Sequence, residues 1–224
     1  MSEFINLHNT SWEELLPQLN YKSVDLLYTD PPFGISFQSG AREEQHKKIA
    51  NDDNLDWLPG WVNAIKRVMK DDSHMYIWCS WHKVDVFKQA LERYWKIKNL
   101  IVWAKNGGGM GDLGGGYGGC HELLFFINNG KDLNGRRDTD VITKAYRTGN
   151  VYHPTQKPWE LAQWILSKST KDGDLVLDTF SGSGSTAIAC HKMRRKFVGC
   201  ELDKDFYEAS LKHIEVETMQ IEMF

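Results

Sequence analysis

The chain reads as an α/β protein with a mostly parallel central sheet and helices on both faces. Three observations predict this. Apolar runs of strand length alternate with segments whose apolar residues recur at helical spacing, the pattern of parallel strands joined by helical crossovers. Two of the strand-like runs stop at an acid, Asp30 and Asp178. The second acid is followed by a glycine-containing turn, a helix and another strand that ends at Glu201, which is a βαβ unit.

The elements follow in order. Phe4 to His8 reads as a short strand, and Thr10 or Ser11 is placed to cap a helix over residues 12–16 with Glu13 or Glu14 completing a capping box. After a turn from Pro17 to Ser23, Val24 to Tyr28 is the strand that ends at Asp30. Residues 34–56 are small, polar and charged, and include Arg42, Lys47 and Lys48. Such a stretch reads as a functional lid or as a solvated surface insertion. Trp57, Trp61, Ile65 and Val68 give a helix over residues 56–69, and Met75 to Cys79 a strand. Ser80 caps the next helix, along which Val84, Phe87, Leu91 and Trp95 repeat. Ile97 to Ala104 is a strand. The glycine-rich run 106–119 cannot pack a core, but its backbone can approach a ligand closely. It lacks the Lys-Ser/Thr ending of a phosphate loop. Glu122 to Asn128 returns as a strand.

Residues 129–150 are polar and basic, with Lys131, Arg136, Arg137, Lys144 and Arg147 beside Tyr146. This suits contact with phosphates, and equally a solvated hairpin. His153-Pro154-Thr155-Gln156-Lys157-Pro158 leads into a helix with Leu161, Trp164 and Ile165 on one face. Leu175 to Leu177 is the strand ending at Asp178. A helix spans residues 185–193, Lys196 to Cys200 is a strand, and Asp203 caps the last helix.

At 224 residues, 41% hydrophobic and 25% charged, the chain is sized for one domain, residues 1–224, with 34–56 and 106–150 as insertions. Its 27 basic and 30 acidic side chains exclude a protein that is basic as a whole, so nucleic-acid contacts must come from local patches. The four cysteines form no CxxC pair and no His/Cys ligand cluster, which argues for reduced thiols and no metal site. The N-terminus has no basic-then-apolar pattern and no apolar run nears ~18 residues, which argues for a cytoplasmic protein that does not span a membrane.

Two constellations carry chemistry. In Asp30-Pro31-Pro32-Phe33 the prolines offer carbonyls but no N–H, so the group is a rigid set of acceptors beside an aromatic ring. That suits a planar ring with an exocyclic amino group; it also suits a strand that ends in a Pro-Pro turn with Asp30 as a helix cap. In the βαβ unit, Gly182 and Gly184 let the backbone approach a ligand, and Glu201 is spaced to accept from ribose hydroxyls. Ala187 occupies the third glycine position, which an NAD site tolerates, and a tight turn without ligand is the plain alternative. Both acids lie at the C-terminal ends of parallel strands, where open α/β sheets bind ligands.

Together these motifs resemble those of the β-class amino-group DNA methyltransferases. Asp30-Pro31-Pro32-Phe33 is similar to their catalytic motif, Phe180-Ser181-Gly182-Ser183-Gly184 to their S-adenosylmethionine motif, and His153 to Pro158 to the segment before it. The resemblance covers nearly the whole chain. It implies a Rossmann-like methyltransferase fold with a circularly permuted motif order. It also implies that Asp30 and the Pro31 carbonyl, braced by Pro32, accept from the target amino group while Phe33, in place of the commoner Tyr, stacks on the base. Asp178, Phe180, Gly182, Gly184, Ser185 and Thr186 would line the cofactor's methionine side, beside Asp30. Glu201 would hold the ribose, and Thr155, Gln156 and Lys157 would border the pocket. Where the family has an acid against the cofactor adenine, this chain has Asn9 and Thr10.

The implied activity is methylation of a base flipped out of double-stranded DNA, as in restriction-modification. An acid in the first motif position leans towards adenine N6. Arg42, Lys47 and Lys48 would close over the flipped nucleotide, and Arg136, Arg137 and Arg147 would grip the flanking DNA. Relatives of this class are often homodimers and use no metal. The alternatives are cytosine N4 methylation, an RNA or protein amide substrate, a NAD-type oxidoreductase and a DNA-binding module without catalysis.

Overall fold

The computed structural model describes residues 4–35, 52–105, 114–144 and 151–219. Arg42, Lys47, Lys48 and Arg147 lie outside the described residues. Eight strands form one sheet among those described: β1 (Ile5–His8), β2 (Val24–Thr29), β3 (Met69–Cys79), β4 (Ile97–Ala104), β5 (His121–Asn129), β6 (Val141–Ile142), β7 (Leu175–Asp178) and β8 (Lys196–Cys200). Their order is β1-β8-β7-β2-β3-β5-β4-β6. All neighbours are parallel except at β5, which runs antiparallel to both β3 and β4.

The helices are α1 (Trp12–Leu15), α2 (Leu58–Val68), α3 (Val84–Leu91), α4 (Trp159–Ser169), α5 (Ser185–Lys192) and α6 (Lys204–Met219). Successive residues of a strand face opposite sides, so each strand feeds two cores. Leu26, Tyr28, Trp78, Val176 and Phe197 pack with Leu161, Ile165 and Leu166 of α4, Ile188 of α5 and Ile214 of α6. Leu27, Met75, Ile77, Leu177 and Val198 pack on the other side with Leu15, Trp61, Ile65, Phe87 and Leu91 of α1 to α3. The central strand β2 is therefore buried on both faces, which is why it reads as an unbroken apolar run after Asp25.

The crossover from β2 through α2 leads to β3 on one side, and the crossover from β7 through α5 leads to β8 on the other. β2 and β7 are themselves neighbours, paired through Leu26–Val176 and Leu27–Leu177. The connection reverses direction between them, so the ends that carry Asp30 and Asp178 flank the switch point of the sheet.

Local differences from the sequence expectation have local causes. β3 begins at Met69, six residues ahead of Met75, because Met69 leaves α2 in an extended conformation and pairs with Val24. Ser11 caps α1 without a side-chain hydrogen bond, while the Thr10 hydroxyl donates to the Glu14 carboxylate. Ser80 accepts from His82 N at 3.4 Å, but residues Trp81–Lys83 form a 3-10 turn and α3 stops at Leu91, short of Trp95. Asp203 caps α6 as expected, accepting from the amides of Asp205 and Phe206 at 2.9 and 3.2 Å. Val141 and Ile142 add a short parallel strand to β4 inside the stretch read as a polar excursion.

Gly199 sits opposite Asp178 in the β7–β8 register. A Cβ there would lie 2.5 Å from the Phe197 ring, 2.6 Å from the Asp178 carbonyl and 2.7 Å from Ser181 Oγ. Gly199→Ala must push β8 away from the Asp178 turn, and is expected to cost about 1–3 kcal/mol in urea unfolding. An unchanged midpoint would contradict this close approach.

Candidate active site

A cavity of about 1110 Å³ opens at the C-terminal ends of β2 and β7. Asp30, Pro31, Pro32 and Phe33 form one wall, and Asp178, Phe180, Gly182, Ser185, Thr186 and Glu201 another. Thr155, Gln156 and Lys157 complete it, so the segments singled out in the sequence meet at one place.

Pro31 and Pro32 are buried and Phe33 is half-buried, its ring edge-on to Phe87 at 6.5 Å. The chain beyond them is held by Asp52, which in the sequence is one of several turn-forming polar residues. One of its oxygens accepts from the amides of Phe33 and Gly34 at 2.8 Å and of Ile35 at 3.4 Å, and the residue is only 6% exposed. Gly34 has φ +66°, which favours glycine at this bend.

Asp30 Oδ2 accepts from Lys157 Nζ at 2.5 Å. Lys157 Nζ also lies 3.1 Å from Glu122 Oε2, and Glu122 pairs in turn with Lys105. The other Asp30 oxygen, Oδ1, is buried with no hydrogen-bond partner among the described residues. Burial pushes the Asp30 carboxyl up, and the Lys157 ammonium pulls against it. Burial also acts to lower Lys157, but Asp30 and Glu122 outweigh it and hold the ammonium above its ordinary range. Glu122 shows the converse: burial works to raise it, yet Lys157 and Lys105 hold it low. Glu122 and Lys105 carried no motif, and only the packing of β5 and β4 brings them to Asp30.

The acids of the βαβ unit face their own turns. Asp178, 3% exposed, accepts at Oδ1 from Thr29 Oγ1 (2.8 Å) and Phe180 N (3.1 Å), and at Oδ2 from Thr186 Oγ1 (2.6 Å). Burial pushes it up to about 6. Glu201 accepts from Gly182 N and Asp203 N, each at 2.9 Å, and burial pushes it up to about 7. Ser185 Oγ donates to the Lys157 carbonyl at 2.5 Å, joining the first turn of α5 to the His153–Pro158 segment. Gln156 Oε1 accepts from Tyr152 N at 3.3 Å, and the His153 ring would be 3.6 Å from a Cβ on Gly182.

Some predicted residues sit differently. Thr10 lines the cavity, but Asn9 does not: its amide donates to the carbonyls of Glu201 and Leu202 at 2.9 and 3.2 Å. Gly184, at φ +76°, caps α5 away from the cavity lining, and a Cβ there would meet Ile214 of α6 at 3.1 Å. Arg136 and Arg137 are exposed at the far edge of the sheet and do not join the cavity. The cause is the direction of β5, which starts at the cavity with His121 and ends at Asn129 beside Ser73, in the N-terminal half of β3. The Arg136 carbonyl there accepts from Lys168 near the end of α4. The chain then comes back through β6, and Trp103 of the cavity wall donates to the Lys144 carbonyl.

Among the described residues no His/Cys/Asp/Glu group is placed to hold a metal, and no helix is long and apolar enough to cross a membrane.

An open, mostly parallel α/β sheet with acids and a helix N-terminus around its switch point defines a Rossmann-like protein with a nucleotide-type ligand crevice. The chain belongs to the DNA methylase family, whose model matches residues 24–212. It is 30% identical over 194 residues to YubD of Escherichia coli K12, covering 86% of this chain and 82% of that protein. It is 26% identical over 250 residues to the type II methyltransferase M2.DpnII of Streptococcus pneumoniae (96% and 91% covered). With the DNA adenine methyltransferase YhdJ of Escherichia coli K12 it shares 27% over 246 residues (94% and 82%). Among solved structures, M1.HpyAVI in complex with SAM superposes with a TM-score of 0.71 at 24% identity (93% and 98% covered). The cytosine-N4-specific PvuII DNA methyltransferase superposes at 0.75 with 14% identity (98% and 92%).

The raised acid at Glu201 has a consequence for stability. The fold favours its protonated form, so its contribution is fully present below about 4.5 and is lost as pH rises through about 7. Glu201→Gln cannot titrate. Its Tm should start lower, because one amide loses its acceptor, but should fall less than that of the wild type between about pH 5 and pH 8. Parallel Tm profiles from thermal scans would remove Glu201 as the source.

Proposed function

We propose that this chain transfers a methyl group from S-adenosylmethionine to the exocyclic amino group of a base in DNA, at adenine N6. The observation that carries the reading is Asp30: one oxygen is tied to Lys157 and the other is a buried acceptor with no donor among the described residues. An unmet buried acceptor costs about 1–3 kcal/mol, which an amino N–H would relieve.

The cavity fits a nucleoside cofactor beside a base. Its volume, about 1110 Å³, lies just above the usual range of single-ligand sites, which leaves room for two partners. Glu201 lies at the end of β8 with its carboxylate on the Gly182 amide, the place where this architecture accepts ribose hydroxyls. Asp178, Phe180, Gly182, Ser185 and Thr186 border the methionine side, with Thr155, Gln156 and Lys157 across from them. Thr10 borders the adenine side, and Asn9 and Gly184 act through the backbone they brace. When bound, S-adenosylmethionine supplies an electrophilic sulfonium methyl.

The residues of the chain act on the other partner. A base amino nitrogen is a poor nucleophile because its lone pair is delocalised into the ring. Asp30 Oδ1 and the Pro31 carbonyl accept its two N–H bonds, draw the nitrogen towards tetrahedral geometry and stabilise the positive charge that develops on it. Phe33 stacks on the base and Pro32 keeps the acceptors rigid. Orientation of the two reactants supplies up to ~7–11 kcal/mol. A paired base cannot enter, so it is flipped, at a few kcal/mol.

The acid at position 30 supports adenine, as does the likeness to YhdJ, named as a DNA adenine methyltransferase. Cytosine N4 presents the same amino group beside a ring nitrogen and is the second reading, supported by the fold shared with the PvuII enzyme. We read residues 1–224 as one methyltransferase domain whose catalytic motif precedes its cofactor motif, a circular permutation within the class. Residues 34–56 and the stretches on either side of β5 contact DNA through Arg42, Lys47, Lys48 and Arg147; β5 itself, inside 106–150, is a core strand and not part of an insertion. Arg136 and Arg137, at the far sheet edge, are left out of that surface.

Asp30→Ala and Asp30→Asn should lower single-turnover methyl transfer to DNA by at least about 10²–10³-fold, while S-adenosylmethionine binding by calorimetry stays within a few fold. Wild-type turnover in either variant would sink the assignment. Nucleoside mass spectrometry of the wild-type product separates the two bases.

A further inference from the structure

For a protein that methylates a base amino group, the function proposed for this chain and the premise of the role assigned to Glu122 here, the Lys157 ammonium poses a problem. It sits 2.5 Å from Asp30, beside the nitrogen that must become positive. Left alone, its three N–H donors would be free to take both Asp30 oxygens, and its charge would oppose the reaction. In the structure it takes only Oδ2. Its other carboxylate partner is Glu122 of β5 at 3.1 Å, and Glu122 is itself held by Lys105, just beyond β4. Lys157 is further steadied over the Trp78 ring, 5.1 Å from its centroid. The four charges cancel: two acids and two ammoniums.

We propose that Glu122 is a positioning residue for methyl transfer: with Lys105 behind it, it draws the Lys157 ammonium to one side and balances its charge, leaving Asp30 Oδ1 as the free acceptor for the substrate amino group. Neither Glu122 nor Lys105 touches the reacting atoms; both act through Lys157. The antiparallel direction of β5 makes this arrangement available, because it places the first residues of that strand, and not its last, at the cavity.

The groups facing Asp30 are Lys157 from the segment before α4, Glu122 and Lys105 from the β5–β4 side, Tyr28 on β2, Cys79 at the end of β3 and Asp178 on β7. Of these, Glu122 raises the Asp30 carboxyl, and Lys157 and Lys105 lower it. Removing Glu122 and removing Lys105 must therefore move the titration of Asp30 in opposite directions. A loss of folded protein alone would lower the rate and displace neither limb.

The test is single-turnover transfer of tritiated methyl from S-adenosylmethionine to duplex DNA, followed across pH for the wild type, Glu122→Gln, Glu122→Asp and Lys105→Met. Glu122→Gln should be slower on the order of 10²-fold, with its acid limb displaced to lower pH and cofactor affinity within a few fold of the wild type. Glu122→Asp should recover part of the rate, and Lys105→Met should displace the acid limb to higher pH. A wild-type rate in Glu122→Gln, a slower rate with an unmoved acid limb, or shifts in the same direction in both variants would overturn the proposal. If Glu122→Gln does not fold, Glu122→Asp and Lys105→Met carry the comparison. A wild-type protein that labels no DNA would instead sink the methyl-transfer reading, and the proposal with it.

Discussion

The hydrogen bond from Thr29 to Asp178, 2.8 Å long and fully buried, joins the ends of two strands that lie 149 residues apart in the chain. β2 and β7 are adjacent only because the crossovers on either side of them leave in opposite directions, and this bond closes the seam where they part. Asp178 then collects Thr186 from α5 and the Phe180 amide. Thr179, beside it, accepts from Trp61 of α2 at 3.0 Å. One carboxylate thus gathers β2, β7 and α5, and its neighbour brings in α2 from the opposite layer. Both halves of the sheet meet in the crevice above that seam, and its shape follows from it.

A cavity built on such a seam has to carry charge in a place where charge is expensive. Burying one unpaired ion costs several kcal/mol, and a buried pair repays that only with good geometry. The molecule answers with satisfied groups at the Glu201 end and a neutral cluster of four at the Asp30 end. Such a cluster contributes little net stability by itself, so its presence at the cavity wall argues for function over folding. Its unmet acceptor, Asp30 Oδ1, sits where the proposed substrate would bring a donor.

Much of the site was legible in the sequence. Asp30, Pro31, Pro32 and Phe33 stood out as a rigid acceptor group that a plain Pro-Pro turn would equally explain, and Asp178, Gly182 and Glu201 as a tight βα turn with an acid one strand later; their meeting at one cavity is what the structure adds. Three kinds of feature were not legible. Asp52 looked like any turn residue, and its role depends on three amides that converge on one oxygen. Gly199 looked like a strand glycine, and its necessity depends on the Asp178 carbonyl across the ladder. Arg136 and Arg137 looked like part of a basic surface near the site, and the reversed strand β5 carries them to the other end of the molecule.

Sequence alone determined the alternation of strands and helices and the two acid-ended strands, because each rests on local periodicity, on proline and glycine, and on residues close in the chain. Only the tertiary structure decided which strands are neighbours, which way β5 runs, and hence which charges meet at Asp30. Glu122 and Lys157 are 35 positions apart and carry no shared pattern; they become partners because an antiparallel strand and a segment ahead of a helix end at the same edge of one sheet. Strand order and direction are settled by the burial of two helical layers at once, a property of the whole chain that no short window contains.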